Sequence, residues 1–297
     1  PLMDTAPDGP ELRAGLVGCG GRGTGAAHNF LDAGPNLRIV ALADLFQDRI
    51  DGTRQKLKEN KNVDIPDENI YLGFDAYKRL IDSDVDIVIL ATPPYFRPMM
   101  FEYAVNAKKH IFMEKPVAVD PVGARSIMAT ARKAETLGIQ VSTGTQRRHK
   151  RDYVETFRRV SDGAIGDITG GNVYWNGGQL WYREPRPEWT EMEYMIRDWV
   201  NWTWLSGDHI VEQHVHNLDV FYWFTGMTPV SALGFGISIA CAGKLMAVPG
   251  RWRKLFGAVK VMPRWITVAY KKFMIITVIW CGSMNILRNR KRVLAGR

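Results

Sequence analysis

Over its first half the chain alternates short, nearly unbroken apolar runs with longer segments of helical periodicity. The runs inside ELRAGLVGCG, LRIVALAD, VDIVILATPP and IFMEKP have strand length. Runs that do not alternate with polar residues suit strands covered on both faces. Between them GRGTGAAHNFLDAG and FRPMMFEYAVNAKKH read as helices. Strands separated by helices predict an α/β architecture built on a parallel sheet.

The first strand-to-helix turn carries Gly18, Gly20 and Gly23 in GxGxxG spacing. In that context the first glycine permits the tight turn, the second lets the backbone approach a pyrophosphate, and the third allows close helix packing. The helix N-terminus supplies amide donors to the phosphates. The second run ends at Asp44, where a carboxylate can accept from adenosine ribose hydroxyls and repel a 2′-phosphate, so NAD is favoured over NADP. Capping of the following segment is the competing use of Asp44. Residues 1–145 are therefore predicted to be an NAD-binding Rossmann domain. Its ligands bind beyond the carboxyl ends of the strands, where Thr92, Pro93, Glu114 and Lys115 fall.

Further on, HIVEQHVHNLDV at residues 209–220 holds three of the chain's six histidines. A helix is expected from Asp208 as cap to about Phe224, stopped by TGMTP. On it Val211, Val215, Leu218 and Tyr222 make the apolar stripe, with Glu212, His216 and Asp219 on a neighbouring face. The HVH pair cannot place both imidazoles on one ion from a regular helix, and no second His or Cys cluster completes a shell, so no metal site is expected. A carboxylate one turn before a histidine suits an oriented general base, and an ordinary packed helix is the alternative. Between residues 172 and 204 stand Trp175, Trp181, Trp189, Trp199, Trp202 and Trp204, which serve either as stacking faces for a sugar or as packing groups.

At 297 residues the chain exceeds one comfortable core, which argues against a single small binding module. Its formal charge of +8 suggests a nucleic-acid or membrane partner until its distribution is considered. Residues 1–230 hold all 31 Asp and Glu against 26 Lys and Arg, a net −5, and the basic excess belongs to the tail. Neither partner is expected. No stretch reaches the roughly 20 apolar residues of a membrane-spanning helix, the nearest being FMIITVIWCGSMNIL at 273–287, which is short and contains Asn285. Cys19, Cys241 and Cys281 show no paired spacing, which fits a reducing compartment. Cytoplasmic placement is favoured, or periplasmic where a leader preceding Pro1 has been removed.

The EKP tripeptide at 114–116, the GxGxxG start and an acidic residue followed four positions later by histidine together resemble the Gfo/Idh/MocA oxidoreductases, over about residues 10–236. The resemblance implies that Lys115, Glu212 and His216 surround a sugar carbon that loses hydride to NAD. It also implies a small sugar or polyol substrate, with a homo-oligomer conceivable. Glu212 stands where the family commonly has Asp. A relative that holds NAD tightly and cleaves or epimerises a glycoside, and a non-catalytic sugar-binding sensor or assembly subunit, are the alternatives. After the Rossmann domain an α+β substrate domain is expected over 146–236, incomplete or aberrant beyond about 236. Residues 237–297 lack any acid and show no clear strand and turn pattern. A basic arm or a shifted reading frame accounts for that composition, and apolar FMIITVIW fits poorly with a solvated arm.

Overall fold

The structure, a computed structural model, describes residues 9–175, 180–235, 264–270 and 274–280. The chain forms two compact units, one of residues 1–146 with 191–212 and one of 147–190 with 213–297. In the first, the elements run β1 (Leu12–Val17), α1 (Gly21–Asp32), β2 (Leu37–Asp44), α2 (Gln47–Lys61), β3 (Ile70–Leu72), α3 (Ala76–Ile81), β4 (Ile87–Leu90), α4 (Arg97–Asn106), β5 (His110–Met113), α5 (Pro121–Thr136) and β6 (Val141–Thr143).

All six strands pair in parallel, in the order β3-β2-β1-β4-β5-β6. Alternate residues serve opposite faces. Leu16, Ile39, Leu42 and Ile89 pack with Ala27 of α1 and Ile50 and Leu57 of α2. Their neighbours Val17, Ala43, Val88 and Leu90 pack with Leu80 of α3, Phe101 of α4 and Ile127 of α5. Two covered faces explain why the strands read as continuous apolar runs. Burying each large side chain contributes about 1.5–3 kcal/mol, so the sheet is a rigid support for whatever its strand ends carry. The strand order reverses between β1 and β4, and the crevice for a ligand opens beyond their carboxyl ends. This is the predicted Rossmann parallel sheet.

The chain then enters the second unit with α6 (Arg151–Ser161) and β7 (Gly171–Tyr174). It returns to the first with α7 (Glu191–Arg197), α8 (Thr203–Ser206) and α9 (Asp208–Glu212), and ends in the second with α10 (Val215–Thr225), β8 (Pro229–Phe235), β9 (Arg264–Tyr270) and β10 (Met274–Trp280). In the second unit a four-stranded sheet has the order β7-β10-β9-β8, with β10 parallel to β7 and the other pairs antiparallel. A Cβ on Gly171 would stand 2.8 Å from the Phe221 ring, so the glycine lets α10 lie close on β7. Against α10, Phe157 of α6 stacks on Trp223 at 4.8 Å.

Strands β9 and β10 fall within 237–297, where the sequence reading finds no strand pattern. RWITVAY and MIITVIW are dense in β-branched and aromatic residues, which favour a pleated surface. The acid-free composition around them obscures that local signal. Cys241 and Cys281 lie outside the described residues. Among the described residues no helix is long and apolar enough to cross a membrane.

Candidate active site

At the head of α1 the geometry is set by backbone. Gly18 sits at φ +98°, and a Cβ there would stand 2.7 Å from the Ala91 carbonyl carbon. A Cβ on Gly23 would stand 1.8 Å from the Gly18 oxygen, whereas one on Gly20 would meet nothing within 4 Å. The third glycine is thus required by packing, and the second faces open space. Gly20 caps α1 without a side-chain hydrogen bond, which leaves the first-turn amides available to an anion. The Asp44 carboxylate accepts from Cys19 N at 2.6 Å through Oδ2 and from Phe46 N at 2.9 Å through Oδ1. It therefore ties the glycine loop to the end of β2 and does not cap α2, whose N-cap is Phe46. Burial pushes the Asp44 carboxyl upward, against the opposing pull of those amides. Each oxygen keeps a lone pair for a ribose hydroxyl. Open amides, an unobstructed Gly20 and a carboxylate at the β2 end fit a dinucleotide.

Beyond β5, side chains set the geometry. Lys115 Nζ donates to Glu212 Oε1 at 2.6 Å and to the Glu212 carbonyl at 2.7 Å. The two side chains are only 17% and 10% exposed. Burying two ions costs several kcal/mol each before their attraction is counted, so the pair is a poor stabiliser of the fold and an effective way to hold an ammonium in place. Burial raises the Glu212 carboxyl above its usual range, and the charges of Lys115 and Arg97 oppose the rise. Glu212 Oε2 is buried without a hydrogen-bond partner among the described residues. Glu114 accepts from Arg22 Nε in the first turn of α1 at 2.6 Å and packs so closely on Gly144 that a Cβ there would stand 2.4 Å from Oε2.

Arg97 underlies this cluster. Its guanidinium donates to the Thr92 carbonyl at 2.5 Å and to the Pro116 carbonyl, joining the β4 and β5 ends from beneath. It is 3% exposed, and burial pushes it down to about 10, with Glu212 and Glu114 pulling the other way. Thr92 and Pro93 lie at the β4 end, directly before the turn that starts α4.

The stretch 209–220 departs from the single helix expected of it. Helix α9 ends at Glu212 and α10 begins at Val215, and the three-residue bonds from His216 N to Gln213 O and from Asn217 N to His214 O mark the restart. Glu212, His216 and Asp219 therefore do not share one helical face. Glu212 belongs to the first unit and His216 to the second, while both Asp219 oxygens accept from Arg148 Nε at 2.9 Å. Burial is also redistributed. His214, His216, Asn217 and Phe221 are buried, and Tyr222 of the expected apolar stripe is exposed. Polar groups can occupy such positions because they find partners. In the second unit Trp175 stacks on the His216 imidazole, centroids 5.6 Å apart and planes 14° from parallel.

Comparison with known proteins bears on this arrangement. The family described as "Oxidoreductase family, NAD-binding Rossmann fold", Gfo/Idh/MocA, matches residues 12–143. Residues 12–143 thus match the NAD-binding domain of the Gfo/Idh/MocA family. Among the chain's relatives is an inositol 2-dehydrogenase of Rubrobacter xylanophilus, 30% identical over 220 residues that make up 71% of this chain and 57% of that protein. A glycosyl hydrolase family 109 protein of Bacteroides fragilis is 28% identical over 196 residues, 61% of this chain and 40% of the relative. The chain thus spans about half the length of the curated relatives it matches. A scyllo-inositol dehydrogenase from Lactobacillus casei, solved with bound NAD(H) and scyllo-inositol, shares the fold at a TM-score of 0.65 and 19% identity, over 92% of this chain and 70% of that one.

Sequence reasoning missed Arg22 and Arg97. Arg22 is hidden in the variable part of GxGxxG, where only the glycines are informative. Arg97 does leave a trace, as a lone cation at the start of the apolar segment RPMMFEYAVN directly after TPP.

Proposed function

We propose that the chain is an NAD-dependent oxidoreductase acting on a secondary alcohol of a sugar, polyol or glycoside. The observation that carries this reading is the buried Lys115–Glu212 pair, held at the end of β5 in a domain whose β1 turn fits a dinucleotide. Lys115 has three N–H donors and commits two to Glu212, which leaves one for a substrate oxygen. In this mechanism His216 takes the hydroxyl proton, Lys115 stabilises the oxyanion as it develops, and Glu212 fixes the ammonium and tunes its charge. The bound nicotinamide supplies the hydride acceptor. Gly18, Gly20, Gly23, Asp44, Thr92, Pro93 and Glu114 form the cofactor side.

A second reading is supported by the glycosyl hydrolase relative: NAD is retained and transient oxidation leads to glycoside cleavage or epimerisation. A panel of inositols, aldoses and p-nitrophenyl glycosides separates the readings. Net NADH formation supports the dehydrogenase. Glycoside turnover with cofactor retained through purification supports the second reading, and sugar binding without hydride transfer leaves a sensor. Under either enzymatic reading, Lys115→Met should abolish turnover while NAD affinity stays within a few-fold. Equal loss of both would place Lys115 on the cofactor instead. NADP should bind more weakly than NAD because of Asp44.

A further inference from the structure

The second unit holds a layered side-chain assembly at the junction of β7 and α10. The Trp175 indole carries the His216 imidazole in a near-parallel stack, and the Arg147 guanidinium lies 5.5 Å from the centre of the same indole. Arg147 also donates to Asn217 Oδ1, and Asn217 Nδ2 donates to the Tyr174 carbonyl at 2.9 Å. The residue after His216 is thereby tied to the residue before Trp175, which fixes the height of the imidazole over the indole.

We propose that Trp175 is a positioning residue for His216, with Arg147 and Asn217 bracing it. The proposal rests on the reading of His216 as proton acceptor. A buried imidazole turns mainly about its terminal torsion, whose well is broad, and a parallel ring at stacking distance restricts that rotation. The indole face also attracts the imidazolium that forms on proton uptake, so the stack favours the state His216 must reach. This use of Trp175 differs from a sugar platform. The indole has an imidazole and a guanidinium of the protein itself as ring partners.

The test compares Trp175→Phe, which keeps an aromatic face, with Trp175→Leu, which does not, in the full chain with the panel member that the wild type turns over best. Trp175→Leu should lower kcat by about 10- to 100-fold, less than the roughly 10²- to 10⁴-fold that a general base contributes in full because the imidazole is misoriented and not removed, with KM within about twofold and NAD affinity unchanged. Trp175→Phe should restore most of that loss. A rise in KM at constant kcat would mark a sugar platform and overturn the proposal, as would equal kcat for the Phe and Leu variants. If Trp175→Leu does not fold, Arg147→Gln and Arg147→Lys make the same comparison, with Lys expected to recover the activity that Gln loses and equal kcat counting against the brace. His216→Asn separates the two levels. An inactive His216→Asn beside a fully active Trp175→Leu sinks the positioning role alone, whereas an active His216→Asn, or a wild type that turns over no panel member, removes the reading beneath it.

Discussion

The two ends of the first unit's ligand crevice hold charge in opposite ways. At the α1 end a buried carboxylate, Asp44, is compensated by backbone amides of Cys19 and Phe46, and Gly18 and Gly23 beside it are required by clearances to other backbone. At the β5 end a buried carboxylate, Glu212, is compensated by side-chain cations, Lys115 in contact and Arg97 through space. Burial raises both carboxyls. The difference lies in what can move. Amides in a packed loop are fixed once the sheet forms, whereas an ammonium on a four-carbon stem stays in place only while its partner and the loop beneath it do. A binding site can be built in the first way, and a site that must hold an ammonium ready for a developing charge is built in the second.

That contrast breaks most severely at Arg97. Arg97→Met would strand the Thr92 and Pro116 carbonyls and remove a charge that pulls against the raised Glu212 carboxyl. Each buried group left unpaired costs about 1–3 kcal/mol, so urea unfolding should show a loss of roughly 2–5 kcal/mol, with turnover falling further than NAD affinity. A stable variant with normal turnover would show that the strand ends hold the Lys115 loop unaided. A smaller effect is expected at the glycine end. Gly23→Ala forces a Cβ into the Gly18 oxygen and should cost about 1–3 kcal/mol, the range for overpacking, together with NAD binding. Gly20→Ala, placed in open space, should leave stability within about 0.5 kcal/mol and weaken NAD by roughly tenfold, about 1.4 kcal/mol. Isothermal titration and unfolding on the pair check this. Loss of stability in both variants would mean that Gly20 is also needed for packing.

The same contrast explains what is legible in the sequence. Sites built from backbone leave a trace in spacing, and the positions of Gly18, Gly20, Gly23 and Asp44 follow from strand, turn and helix order alone. Lys115 reads as an ordinary strand-end lysine until a family resemblance singles it out, because nothing local distinguishes it. The 209–220 stretch shows the limit of periodicity. No Gly or Pro marks the break after Glu212. The interruption coincides with the chain's passage from one unit to the other, which is a tertiary event. Trp175 is visible as one tryptophan among several, but its partner His216 lies 41 residues further along, beyond the reach of any local pattern.

The smallest effect is also the finest test of the comparison, since it asks whether side-chain cations compensate Glu212 fully. A carboxyl whose folded pKa is raised binds its proton more tightly in the native state than in the unfolded one. Its contribution to stability is then full below the ordinary glutamate value, near 4.5, and is lost as pH rises through the raised folded value. Asp44 moves in the same direction, so the wild-type curve alone cannot separate the two. Subtracting the curve of Glu212→Gln isolates Glu212. The wild type's stability relative to that variant should decline as pH climbs from about 4 toward neutrality, by about 1.4 kcal/mol for every tenfold by which folding tightens the proton's hold. Urea unfolding at half-unit pH steps measures it. A relative stability that grows with pH would show that the contact with Lys115 outweighs burial. Glu212 would then be held as firmly by its cations as Asp44 is by amides, and the distinction between the two ends would rest on motion alone.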